Sequence, residues 1–166
     1  IGELAFENCT SLASVLIPKS LNYIYDKYDN LYEPEGIFKG CTALTDISLE
    51  AGTTMIVRGL LSDCTAITKY TIPATVTSIE DSAFANSTAL TEVTIPSSVS
   101  EIKKFAFSGC TSLKNVEIPA VVQEIGNSAF KNCSSLESAV VSDGLQKIGE
   151  AAFEGCSALK TFTMPN

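Results

Sequence analysis

The sequence has 166 residues, 45% of them hydrophobic and 18% charged, a composition typical of a folded domain with a continuous core. Nineteen acidic residues against 11 basic ones give a net charge of −8, which disfavours nucleic acid and anionic membrane surfaces as partners. No apolar run reaches the roughly 18–20 residues that span a bilayer, and no signal peptide opens the chain, so we expect any leader to have been removed or left out.

A phenylalanine or leucine recurs along the chain at a fixed interval. The first interval is 32 residues and each later one is 23, giving the series Phe6, Phe38, Leu61, Phe84, Phe107, Phe130 and Phe153. Such a period is the signature of a solenoid, in which each repeat buries its apolar face only against its neighbours. We therefore predict seven repeats in a single domain over residues 1–166. Because Ile1 and Asn166 both interrupt a repeat, we also expect a longer parent protein.

The longer first interval contains nine additional residues, which we place in a loop insertion over residues 25–35. This segment holds three of the chain's five tyrosines, and tyrosine provides stiff, amphipathic contact area for protein or sugar recognition. Insertions in solenoids often lie on the binding face. The candidate ligand-binding residues in this segment are therefore Tyr25, Tyr28, Asp29 and Tyr32. The alternative is that these tyrosines cover the edge of the sheet. A Ca²⁺ site at Asp26, Asp29 and Asn30 is less favoured, because the spacing matches no EF-hand loop.

Each repeat also contains a short strand pattern. Val116 and Ile118, for example, are apolar on either side of Glu117, as expected of a half-buried strand. Seven such strands, each one repeat further along, predict a parallel sheet on the concave face of the solenoid. A second apolar pair in each repeat predicts a short extended segment that crosses to the convex side, as at Val99 and Ile102.

We call the position of the recurring phenylalanine or leucine the phenylalanine slot. The sequence around this slot favours one or two helical turns on the convex side. In residues 81–86 and several equivalents, a small alanine directly before the slot permits close approach. Two residues after the slot stand Asn, Gly or Asp, which best tolerate the left-handed backbone that ends a helix. These residues are Asn8, Gly40, Asp63, Asn86, Gly109, Asn132 and Gly155.

The complete phrase, Ile-Gly-x-x-Ala-Phe-x-x-Cys-x-x-Leu-x-x-Val-x-Ile-Pro, resembles the BspA-like, or Treponema-type, class of leucine-rich repeats. Residues 125–133 and 148–156 match it closely, whereas Leu61, Ser87 and Ile67 depart from it. The resemblance covers nearly the whole chain and implies a leucine-rich repeat solenoid, a β-rich member of the α/β class. It also implies a secreted or surface-attached protein of bacteria or some protists, many of which are adhesins.

Six cysteines stand three residues after the slot, and Ser87 takes the seventh place: Cys9, Cys41, Cys64, Cys110, Cys133 and Cys156. Stacked repeats lie about 5 Å apart. Parallel cysteine side chains on neighbouring repeats would therefore hold their Cβ atoms farther apart than the roughly 3.8 Å of a disulfide. We therefore predict a structural column of buried free thiols rather than a disulfide framework. Metal binding is less favoured still, because the chain has no Cys-x-x-Cys clip and no histidine.

The outward residues of the predicted sheet form the second candidate binding surface. They are rich in serine and threonine, with mixed charge and no aromatic residue, so a solvated face is as plausible as a ligand site. The candidate ligand-binding residues here are Asp46, Lys69, Glu92, Asn115 and Glu117.

The absence of histidine excludes Ser-His-Asp and Cys-His catalysis, and no Gly-rich phosphate loop is present. We therefore expect a non-catalytic module without a cofactor, located outside the cell or on its surface, that binds an extracellular protein or glycan. The alternative is a structural spacer that presents another domain of a longer surface protein.

Overall fold

The computed structural model describes residues 1–22 and 36–164, which form short β-strands joined by turns. The expected loop at 25–35 lies outside the described residues. Seven strands form the first sheet: β1 (Ser14–Ile17), β2 (Asp46–Leu49), β4 (Lys69–Thr71), β6 (Glu92–Thr94), β8 (Asn115–Ile118), β10 (Ser138–Val141) and β12 (Thr161–Thr163). Five two-residue strands form the second: β3 (Met55–Ile56), β5 (Ser78–Ile79), β7 (Glu101–Ile102), β9 (Glu124–Ile125) and β11 (Lys147–Ile148).

Both sheets are parallel, and the described strands of successive repeats pair with one another except between β2 and β4 and between β6 and β8, which confirms the predicted solenoid. In the described residues the first sheet is hydrogen-bonded in three groups, β1–β2, β4–β6 and β8–β10–β12. The second sheet is one continuous ladder from β3 to β11. The register pairs residues 23 apart, as with Val116 and Ala139 or Ile79 and Ile102, except between β1 and β2, where the longer first interval makes the separation 32. One repeat is therefore one rung.

The predicted helical turns are wrong, because no described residue lies in a helix. In residues 81–86 every second backbone N–H points to the next rung. The N–H groups of Ser82, Phe84 and Asn86 donate to carbonyl oxygens there, at 3.0, 2.7 and 2.7 Å. The intervening N–H groups of Ala83 and Ala85 donate three residues back, which forms successive tight turns. The segment is thus a third ladder between rungs, and its donors are not available for helical i→i−4 bonds.

The left-handed backbone predicted after the phenylalanine slot is confirmed. All seven residues at that slot have positive φ, from 56° at Asn86 to 76° at Gly155. A second left-handed position precedes the slot by two residues and was not predicted. It is occupied by Leu4, Gly59, Ser82, Phe105, Ser128 and Ala151, with φ between 53° and 65°. Six of the seven turn segments thus hold two left-handed residues, which explains why no helix propagates in them.

The phenylalanine slots stack along the core. The rings of Phe84, Phe107, Phe130 and Phe153 lie nearly parallel, with centroids 4.9, 5.2 and 5.2 Å apart. Leu61 interrupts this stack, and the ring of Tyr70 contacts Phe84 edge-on at 5.4 Å. Tyr70 replaces the smaller apolar residue found in that strand position of most other rungs, so its ring offsets volume that the core lost at Leu61.

Candidate functional site

The outward side chains of the seven first-sheet strands form a mostly polar surface, which we call the sheet face. Strand alternation produces it: in β8 the side chains of Val116 and Ile118 are buried, whereas Asn115 and Glu117 are exposed. The same alternation in all seven strands places on this face Ser14, Leu16, Asp46, Ser48, Lys69, Thr71, Glu92, Thr94, Asn115, Glu117, Ser138, Val140, Thr161 and Thr163. The face therefore has no Trp, Tyr or Arg, the usual anchors of protein interfaces.

Four of the predicted residues occupy the first outward position of their strands: Asp46, Lys69, Glu92 and Asn115. Lys69 lies opposite Glu92 in the ladder, and Nζ approaches Oε2 to 2.7 Å. This hydrogen bond, supported by the negative charge of Glu92, raises the pKa of Lys69. Asp46 forms no ion pair with another described residue.

Glu117 stands in the second outward position, where it faces Val140 across the β8–β10 ladder. Its carboxylate forms no ion pair within the described part of the chain. Val140 is 39% exposed, so an apolar group lies directly beside this free carboxylate. Tyr25, Tyr28, Asp29 and Tyr32 lie outside the described residues, and their role in binding stays a prediction.

The six cysteines are free thiols that follow the predicted column. Cys41, Cys64, Cys110 and Cys133 are buried, and Cys156 is half-buried. Cys9 is exposed, unlike the expected buried thiol, because the first rung has no described rung on its outer side. A disulfide-free state in solution stays a prediction that thiol titration can test.

Each of several thiols makes the same hydrogen bond. Sγ of Cys110 donates to the carbonyl oxygen of Phe84 at 3.1 Å, and Sγ of Cys133 donates to that of Phe107 at 3.2 Å. The hydroxyl of Ser87 donates to the carbonyl of Leu61 at 2.5 Å, in the equivalent position. Burial raises the pKa of the Cys110 thiol to about 12, which keeps it protonated and able to donate. The column thus consists of small donors with a structural role.

A groove on the second sheet contains residues that the sequence did not single out. It has a volume of about 720 Å³ and is lined mainly by residues from 100–104 and 121–127, together with Asp81 and Lys147. We call it the second-sheet groove. Asp81, Lys104 and Asn127 recur at intervals of 23 residues and so occupy one slot in three successive rungs. That recurrence of polar residues is the signal by which the sequence could have indicated the groove.

The described residues hold no group of three or more His, Cys, Asp or Glu side chains arranged to bind a metal ion. None of them forms a helix long and apolar enough to cross a membrane. The sheet face and the second-sheet groove, as far as the described residues form them, both present hydrogen-bonding groups and charged side chains.

Comparison with known families matches the chain to the BspA type leucine-rich repeat region in six copies, over residues 1–28, 30–133 and 77–166. No curated protein sequence gives a significant match.

Several solved structures resemble the chain along almost its whole length. A leucine-rich repeat protein from Bacteroides ovatus ATCC 8483 is 31% identical over 97% of this chain and 39% of its own, with a TM-score of 0.77. The leucine-rich repeat protein of T. pallidum is 27% identical over 96% of this chain and 71% of its own, with a TM-score of 0.78. A leucine-rich cell surface protein from Faecalibacterium prausnitzii A2-165 is 21% identical over 98% of this chain and 62% of its own, with a TM-score of 0.53, and this likeness shows the fold alone. The chain thus spans about two fifths of the Bacteroides protein.

Proposed function

The chain belongs to the BspA-type leucine-rich repeat family, and on this basis we propose that it is a non-catalytic binding module of an extracellular or cell-surface protein. Its partner is an extracellular protein or glycan, as for an adhesin. The fold neighbour from Faecalibacterium prausnitzii is described as a cell surface protein, which is consistent with the proposed location.

The observation that carries this proposal is the division between the core and the sheet face. The large apolar side chains of the repeat pack in the core, and the outward residues of the seven first-sheet strands are mostly polar and exposed. Asp46 and Glu117 are carboxylates without an ion-pair partner among the described residues, so a ligand can bind them without breaking an existing pair. The tyrosines at 25–35 would add the anchors that the sheet face lacks.

The second candidate function is a structural spacer. The observation that favours it is the absence of any Trp, Tyr or Arg on the sheet face, because interfaces usually take most of their binding energy from such residues. A spacer needs a stable, soluble face and no affinity of its own.

A binding assay separates the two functions. The chain is tested against immobilised extracellular matrix proteins and a glycan panel, together with the double variant Asp46→Ala/Glu117→Ala. We expect the double variant to lower the affinity for the bound partner by roughly 10-fold or more, with little change in melting temperature, because both side chains are exposed.

The matched control is Asp143→Ala/Glu150→Ala, which removes the same charge at exposed positions away from the sheet face. Deletion of residues 25–35 tests the loop separately. Absence of binding across the whole panel would support the spacer, and equal effects of the two double variants would contradict a role for the sheet face.

A further inference from the structure

We propose that the second-sheet groove is a separate binding site for a short neutral oligosaccharide. The groove lies on the other sheet from the sheet face, and it takes residues from four successive rungs. Parallel strands are about 4.8 Å apart, so the groove extends for roughly 15 Å along the solenoid axis. Its volume of about 720 Å³ is within the range of small-molecule pockets, and its length favours a linear ligand over a single sugar ring.

The charges of the groove are already paired with one another. Nζ of Lys147 lies 2.7 Å from Glu124, Nζ of Lys103 lies 3.2 Å from Glu101, and Nζ of Lys104 lies 3.6 Å from Asp81. The three lysines and three carboxylates that line the groove sum to zero charge, in a chain whose net charge is −8. Because each lysine already lies beside a carboxylate, the groove offers a charged ligand no excess of opposite charge, whereas a neutral polar ligand can bind beside these pairs.

Two amide side chains provide the unpaired hydrogen-bonding groups. Oδ1 of Asn127 accepts a hydrogen bond from the backbone N–H of Glu150 at 3.0 Å, which orients its Nδ2 as a donor. The side-chain amide of Gln123 is exposed and bonds to no other described residue. An amide donates and accepts at once, which matches the paired donor and acceptor character of sugar hydroxyls.

An apolar contact completes the site. Val121 lines the groove and is 46% exposed, although it is flanked by polar groups. A sugar ring has hydroxyls at its rim and C–H groups on its faces, so one ligand can bind the amides and cover the valine. Burial of such apolar surface is favourable. The two amide side chains, the paired charges and the apolar patch at Val121 together favour a neutral carbohydrate.

The test is an NMR titration of the whole chain with cellotriose, maltotriose and chitotriose as neutral probes and a heparin tetrasaccharide as the anionic one. We expect at least one neutral trisaccharide to shift the backbone amides of Gly126 and Asn127. Gln123→Ala should weaken that binding by about 10-fold, the effect of losing one or two hydrogen bonds. Asn127→Asp keeps the oxygen that accepts from Glu150 but removes Nδ2, and should weaken binding as well.

The matched control is Gln146→Ala, which alters the same slot one rung later and outside the groove lining. It should leave the affinity unchanged, as should Asp46→Ala/Glu117→Ala on the sheet face, so that this site and the sheet face fail or succeed separately. The proposal is overturned if no neutral trisaccharide shifts these amides, if Gln123→Ala and Gln146→Ala have equal effects, or if the heparin tetrasaccharide binds the groove more tightly than the neutral probes.

Discussion

The cysteine slot holds a small hydrogen-bond donor in at least five rungs, at Cys41, Ser87, Cys110, Cys133 and Cys156. Ser87 occupies the slot in one rung and donates to the carbonyl of Leu61, as Cys110 does to the carbonyl of Phe84. The sequence predicts a small buried filler at this slot, because the spacing stacks the cysteines. It does not predict the donor role, because the acceptor belongs to the preceding rung and becomes visible only when two rungs are superposed.

The buried thiols should make the free energy of unfolding fall as the pH rises through the alkaline range. Burial raises the pKa of Cys110 from an ordinary 9.0 to about 12, so the folded chain keeps this proton over a range in which the unfolded chain releases it. The free energy of unfolding should therefore be unaffected by this group below pH 9 and should fall as the pH rises from 9 to 12.

Cys110→Ser removes the titrating group and keeps a donor. Denaturant unfolding at pH 8, 9, 10 and 11 should give the variant a shallower loss of stability than the wild type, by up to roughly 1.4 kcal/mol per pH unit. The other alkaline groups are common to both proteins and cancel in the comparison. Identical pH profiles would show that Cys110 is not shielded from ionisation in the folded state.

The turn segments are the elements that the sequence described least well. The position after the phenylalanine slot is predictable, because Asn, Gly and Asp favour a left-handed backbone. The second left-handed position, two residues before the slot, holds Leu4, Phe105 and Ala151 in three of the rungs. These residue types do not indicate a left-handed backbone, yet their φ values are 54–57°. The tertiary ladder imposes this conformation, since a left-handed residue with a β-carbon costs about 1–2 kcal/mol.

Ala151→Gly should therefore stabilise the protein. Glycine adopts the φ of 54° at this position without steric cost, and we expect a gain of about 0.5–1 kcal/mol after its greater chain entropy is counted. Ala152→Gly is the control, because Ala152 is buried and its φ is not positive. It should lose about 1–2 kcal/mol. The denaturant midpoints of the two variants measure these changes in stability. If Ala151→Gly lost as much stability as Ala152→Gly, the backbone at Ala151 would not be strained.

The strands were the more predictable elements. The alternation of Val116 and Ile118 with exposed neighbours identifies the first sheet from local sequence alone. The two-residue strands, such as β7 at Glu101–Ile102, fall in the short extended segments predicted from the second apolar pair, but they are too short for an alternating pattern, so their continuous ladder could not be predicted. The second-sheet groove was missed for a related reason, because Asp81, Lys104 and Gln123 come together only through stacking of the rungs.

Across the whole molecule, each rung is held by the rungs on either side. Phe107 is stacked between Phe84 and Phe130 and is fully buried, whereas Phe6, which stacks on Phe38 at the end of the array, is 39% exposed. Stability of such an array is approximately a sum of rung and nearest-neighbour terms. The columns of rings, thiols and left-handed residues are then packing requirements, and specificity is left to the outward residues.

The most direct test of this account is deletion of one rung in register. Removal of residues 93–115 joins Glu92 to Val116 and superposes every column, so we predict a cooperative fold with parallel-sheet circular dichroism and a proportionately lower free energy of unfolding. Removal of residues 93–114 retains one more residue, inserts it into a strand and reverses the side-chain alternation that follows. We predict that this second protein is several kcal/mol less stable than the first or does not fold. Equal stability of the two proteins, or failure of the first to fold, would contradict the claim that rung-to-rung register determines the fold.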